Sequence, residues 1–104
     1  MRRSISVILV VASAAALNVA CIGRPDLDAT GEEVYLQVCA NCHGADLSGG
    51  LGPAIGPGTN SAVRDDEYLE LTITRGLGRM PSFGGTLTDE QVERLIRYLR
   101  EVQG

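Results

Sequence analysis

The 104-residue chain has no lysine and no tryptophan, one phenylalanine, one histidine and, beyond the initiator, one methionine. Each scarcity excludes something. All nine basic groups are arginine, set against 13 acids for a formal net charge of −4; a nucleic-acid binder would instead show a basic stripe. Aromatic residues make up only 4% of the chain. They bury the most area per side chain, so a domain this poor in them is short of core material of its own. The length excludes a multi-domain enzyme and allows one small domain.

Part of that length is expected to lie outside the domain. Residues 1–20 read as an export signal. Arg2 and Arg3 supply the positive start, Ile5 to Leu17 is apolar and uncharged, and Ala20 is a small residue at a cleavage position. The apolar run is shorter than the roughly 20 residues of a spanning helix; an uncleaved anchor helix is the alternative. Removing residues 1–20 leaves 7 basic and 13 acidic groups, a formal charge of −6 over 84 residues. Leu17-Asn18-Val19-Ala20-Cys21 resembles a bacterial lipoprotein cleavage box, with Asn18 where such boxes prefer leucine. The resemblance implies a lipid on Cys21, and two or three acyl chains anchor stably where one is marginal. The alternative is a free cysteine beside an ordinary cleavage site. Residues 21–29, with Gly23, Pro25, Asp26 and Asp28, read as a short polar tether.

The domain proper is expected over residues 30–104, all-α, with three or four short helices and no strands. Thr30 and Glu33 form a capping-box pattern before Val34, Tyr35 and Val38, predicting a first helix over Gly31 to Cys42. Residues 44–60 hold too many glycines and prolines for a helix or strand. A loop this long belongs in a compact domain when it wraps something; the alternative is a disordered linker. A second helix is expected over Asp66 to Thr74, capped by Asp65 and ended by Gly76. A second loop, Gly76 to Thr86, carries Met80-Pro81. In the last helix Thr88 caps and Gln91 completes the box, while Val92, Leu95, Ile96, Leu99 and Val102 keep helical spacing.

The chemistry is concentrated in Cys39-Ala40-Asn41-Cys42-His43, the Cys-x-x-Cys-His pattern of covalent c-type haem attachment. On a helical turn, positions i, i+3 and i+4 share a face. Both sulfurs can therefore meet one edge of a porphyrin, with the imidazole on the same side. A redox dithiol would ask for a βαβ setting that this sequence lacks. A zinc site would need a fourth ligand, and His43 is the sole histidine.

From about Thr30 to Val102 the chain resembles the class I monohaem cytochrome c family. In that family a proline carbonyl in a Gly-Pro-x-Leu segment holds the proximal histidine, which implies that role for Pro53 in Gly52-Pro53-Ala54-Ile55, where Ile55 stands for the leucine. A methionine before proline supplies the distal ligand, which implies Met80 in Gly78-Arg79-Met80-Pro81. Pro81 keeps Met80 out of helical geometry; the plain alternative for Met80 is a core filler. The family crosses its first and last helices at a small residue and an aromatic, roles that Gly31, Tyr35 and Tyr98 fit. A tryptophan that meets a haem propionate in some members is absent. Arg75 and Arg79 are candidates for the propionates, with solvated surface arginines as the alternative.

The resemblance implies a cytochrome c-like fold around one haem c, covalent through Cys39 and Cys42, with His43 and Met80 on the iron. It also implies an electron carrier rather than an enzyme, exported to the periplasm or the outer face of a bacterial membrane. A large flat cofactor would supply the missing core. Lysine docking rings of mitochondrial type are excluded, and the acidic surface suits redox partners with a basic patch. Two other readings are a haem-bearing subunit of a membrane oxidoreductase and a haem sensor that releases Met80.

Overall fold

The computed structural model describes residues 23–104. The signal expected over 1–20 and the lipidation expected at Cys21 lie outside the described residues. Among the described residues there are four α-helices: α1 (Gly31–Val38), α2 (Ala40–His43), α3 (Asp66–Arg75) and α4 (Asp89–Gln103), with a 3₁₀ turn at Asn60–Val63. Among the described residues there is no strand, only an isolated bridge between Leu77 and Met80. No described helix is long and apolar enough to cross a membrane.

The helix starts follow their side chains. Thr30 Oγ1 accepts from Glu33 N–H at 3.1 Å, and the Glu33 carboxylate accepts from Thr30 N–H at 3.0 Å. Thr88 and Gln91 repeat the arrangement on α4 at 3.2 and 2.9 Å. Each reciprocal pair satisfies two amides that a bare helix start leaves open. Asp65 caps α3 through Tyr68 N–H at 2.8 Å, and Gly76 closes it at φ +77°.

The core gathers Val34, Tyr35 and Val38 from α1, Leu69 and Ile73 from α3, and Val92, Leu95, Ile96 and Leu99 from α4. Each such side chain contributes about 1.5–3 kcal/mol on burial. α1 crosses α4 at Gly31. A β-carbon there would stand 2.1 Å from the Arg94 carbonyl oxygen, so only glycine lets the backbones approach this closely. One turn along, the Tyr35 and Tyr98 rings pack at 5.6 Å between centroids, tilted by 49°.

Three features differ from the sequence expectations. The first helix does not run unbroken to Cys42. It ends at Val38, because Cys39, at φ −110°, leaves the helical register before α2 restarts the turn. The stretch 23–29 is not a free tether. Gln91 Nε2 donates to the Asp26 and Pro25 carbonyls at 3.0 and 3.3 Å, and Arg94 Nη2 donates to Leu27 O at 2.7 Å. Pro25 and Ala29 are buried, so this strap belongs to the domain. The glycine-rich loop also carries a core residue. Leu47 is buried although it sits in the left-handed region at φ +64°, a conformation costing a non-glycine residue about 1–3 kcal/mol, which its burial offsets.

Candidate functional site

The site begins where α1 stops. Cys39 N–H still donates to Tyr35 O at 2.9 Å, and the Cys39 carbonyl then accepts from Cys42 N–H at 3.2 Å and from His43 N–H at 3.0 Å. These bonds close one helical turn, which brings Cys39, Cys42 and His43 to one side. The two sulfurs differ in surroundings: Cys39 is buried at 8% exposure and Cys42 is exposed. Burial, with a smaller push from Cys42, raises the Cys39 thiol to about 12. No disulfide joins the two.

His43 is oriented from its far side. Its Nδ1 lies 2.8 Å from Pro53 O. A carbonyl can only accept, so Nδ1 carries the proton and Nε2 keeps its lone pair for a metal. Gly52 makes room for this: a β-carbon there would press within 3.2 Å of His43 Cε1. Gly52 N–H also donates to Cys42 O at 2.7 Å, and Gly49 N–H to His43 O at 2.7 Å, stitching the loop to the Cys/His turn. Ile55 N–H donates to Leu47 O at 3.0 Å, and Ile55 packs, half-buried, on the core.

Met80 is positioned by a different element, the turn that follows α3. Met80 N–H donates to Leu77 O at 2.9 Å and Leu77 N–H to Met80 O at 3.1 Å. Gly76 is needed beneath it, since a β-carbon would stand 2.6 Å from Met80 O. Phe83 N–H to Ile73 O at 2.9 Å and Gly84 N–H to Thr74 O at 3.1 Å tie the loop to the end of α3. Met80 is half-buried against the core. Arg75 and Arg79 are exposed.

Tyr35 links the helix crossing to the loop. Its hydroxyl donates to the Gly44 carbonyl, and burial, the Cys39 thiol, Tyr98 and Asp46 together push it up to about 12. Sequence reasoning missed three contributors: Leu47, the Gln91–Arg94 grip on the strap, and a polar cluster at the end of α4. That cluster consists of Arg100 and Gln103, which bond to residues 55, 61, 64 and 66. Gln91 carried a capping signal, Leu47 is a loop residue whose conformation leaves no sequence mark, and Arg94, Arg100 and Gln103 are polar residues on a helix that carry no periodic pattern.

These residues fit a haem. Among the described residues no three His, Cys, Asp or Glu side chains gather as a metal cage. Large apolar side chains stand open in the same segments. Leu51, next to Gly52, is 92% exposed, and Leu77, paired with Met80, is 61% exposed. Val63, on the 3₁₀ turn, is 80% exposed. Apolar surface of this kind calls for a covering partner, and a porphyrin face supplies one.

Fold and site together define a c-type cytochrome. Residues 26–99 match the family model described as cytochrome c oxidase, cbb3-type, subunit III, and the chain belongs to that family. Dihydro-heme d1 dehydrogenase of Pseudomonas aeruginosa is 36% identical over 73 residues, which cover 69% of this chain and 15% of that protein. Cytochrome c-551 of Bacillus subtilis is 35% identical over 71 residues, covering 68% and 60%. The structure of cytochrome cL from Hyphomicrobium denitrificans superposes with a TM-score of 0.64 at 34% identity, covering 70% of this chain and 45% of that one. The chain thus spans less than two thirds of each of these relatives. The family implies covalently bound haem c and an electron-carrier role, and the all-α cytochrome c fold is shared with the solved structures.

Proposed function

We propose that this protein carries single electrons between redox partners outside the cytoplasm. Cys39 and Cys42 would hold one haem c, and His43 and Met80 would bind its iron. The observation that carries this reading is the His43 Nδ1–H donation to Pro53 O at 2.8 Å, on the one turn that also bears both cysteines. It fixes the tautomer, leaves Nε2 free, and raises the basicity of the ring as a ligand. When bound, haem supplies a one-electron iron couple.

The chain's residues do the rest. His43 is held from the Pro53 side. Met80 is presented by a hydrogen-bonded turn that Pro81 keeps from becoming helix. With both ligands in place no position is left for a substrate, which suits electron transfer rather than catalysis, and a thioether ligand favours a raised potential. Arg75 and Arg79, both exposed, are the candidates to meet the propionates. Partners with a basic patch suit the acidic surface, and such association weakens with salt. A lipid on Cys21 holds the carrier at the outer face of a membrane.

A second reading is favoured by the family, which is that of an oxidase subunit: the chain serves as the haem-bearing subunit of a membrane oxidoreductase. Copurification with a membrane complex in detergent separates the two.

Carbon monoxide tests the ligand assignment. The ferrous parent protein is expected to bind it slowly or not at all, and Met80→Ala rapidly. A parent that binds it as fast as the variant removes Met80 from the iron and favours the sensor reading.

A further inference from the structure

The end of α4 lies 48 residues from Ile55 in sequence and meets it in space. Gln103 Nε2 donates to Ile55 O at 2.8 Å and to Ser61 Oγ at 3.2 Å. Arg100 fixes which way that amide points: its Nη1 donates to Gln103 Oε1 at 2.8 Å, so the oxygen faces the guanidinium and the nitrogen faces the loop. Arg100 is itself anchored. Its Nε pairs with Asp66 Oδ1 at 2.8 Å, Nη1 reaches Ser61 O at 3.3 Å, and Nη2 donates to Arg64 O. The planar guanidinium thus ties α4 to the start of α3 and to the 3₁₀ turn at once, a fork geometry that lysine cannot reproduce.

Ile55 is consequently held on both sides of its backbone. Its N–H donates to Leu47 O at 3.0 Å and its carbonyl accepts from Gln103. Two residues earlier, Pro53 O receives the His43 Nδ1 proton. Upstream, Gly52 is held by its N–H to Cys42 O at 2.7 Å and its carbonyl to Gly50 N–H at 2.9 Å; Pro53 adds no N–H of its own, so its carbonyl is set between that anchor and Ile55. Residues 56–59, with two glycines and a proline, give little stiffness.

We propose that Gln103, oriented by Arg100, is a positioning residue for His43 as the iron ligand. It acts by holding Ile55, and through it the Pro53 carbonyl, in place. The proposal rests on reading His43 as that ligand. A firm Nδ1–H donation gives the imidazole more anionic character and favours ferric iron. Loosening the carbonyl weakens that donation and raises the reduction potential.

Gln103→Glu separates positioning from simple stability. A glutamate keeps, and strengthens, the partnership with Arg100 but cannot donate to Ile55 O. The full-length holoprotein and its Gln103→Glu and Arg100→Lys variants are compared by redox titration, by the NMR signal of the His43 Nδ1 proton, by amide exchange at Ile55 and by thermal melting. Expected are a shift to higher potential in both variants, a displaced Nδ1 proton signal, and about fivefold faster exchange at Ile55 on loss of one hydrogen bond. Gln103→Asn, a shorter donor, is expected to recover part of the shift. If potential and proton signal match the parent while only the melting temperature moves, Gln103 and Arg100 are structural and the proposal fails. A potential that falls also overturns it. If the parent itself shows no iron-bound His43 signature, the ligand assignment fails instead, and the two failures are told apart.

Discussion

Where α1 crosses α4, the backbones nearly touch and apolar side chains interlock around Gly31, Tyr35 and Tyr98. From Gly44 to Arg64 the chain is held differently, by carbonyls and amides that reach one another singly: Gly49 to His43, Gly52 to Cys42, Ile55 to Leu47 and Gln103 to Ile55. The crossing uses burial and shape, which are strong and non-directional. The loop uses directed hydrogen bonds, each with a net worth of about 1 kcal/mol. Stability and positioning are thereby divided between two regions. The crossing holds the domain together, and the loop sets where one imidazole points. Tyr35, buried in the crossing and bonded to Gly44 O, joins them.

The largest effect is expected at the junction. Cys39→Ala/Cys42→Ala removes both proposed attachment points and with them the apolar cofactor that would cover Leu51 and Leu77. The chain should then fail to fold cooperatively. A helical, sharply melting haem-free variant, followed by circular dichroism, would contradict this. Next comes the crossing itself. Gly31→Ala drives a methyl into the Arg94 carbonyl and should cost about 3 kcal/mol or more, as overpacking does, read as a lower midpoint in denaturant unfolding.

The loop should answer differently. Gly52→Ala places a β-carbon 3.2 Å from the His43 ring, where a few tenths of an ångström of movement relieves it. Stability should change by less than about 1.5 kcal/mol, while the haem spectrum shifts. A large loss of stability with an unchanged spectrum would erase the distinction between the regions. The smallest effect lies at Asp46. Ser48 Oγ and N–H donate to its carboxylate at 2.6 and 3.1 Å and hold it below the ordinary carboxylate range. The folded state thus favours the ionised form, a contribution present above the ordinary range and lost as pH falls through the lowered value. Ser48→Ala should move the Asp46 NMR titration midpoint upward and leave the melting temperature at neutral pH nearly unchanged.

Much of this was legible in the sequence, for physical reasons that differ by residue. Thr30, Glu33, Thr88 and Gln91 announce helix starts because capping is local in sequence. Cys39, Cys42 and His43 announce a shared face because helical spacing puts them there. The all-α class follows from the spacing of Val92, Leu95, Ile96 and Leu99. Pro53 and Met80 were reached through resemblance alone, since nothing in a lone proline or methionine names its partner. The break at Cys39 stayed hidden because the apolar pattern runs through it. Leu47 looked like loop, as its left-handed conformation carries no sequence mark. The strap and the Arg100–Gln103 cluster were invisible because they join polar residues far apart in the chain. A polar side chain on a helix reads as solvated until the fold brings a carbonyl to it.

The most direct test of the account is a reduced-minus-oxidised visible spectrum of the protein made with haem-ligation machinery, repeated after acid-acetone extraction. Covalent haem held by Cys39 and Cys42, with His43 and Met80 on the iron, predicts sharp α and β bands that survive extraction. No haem signal, or one that the solvent removes, would contradict the assignment of Cys39, Cys42 and His43 and turn attention to a dithiol or metal role for the two cysteines.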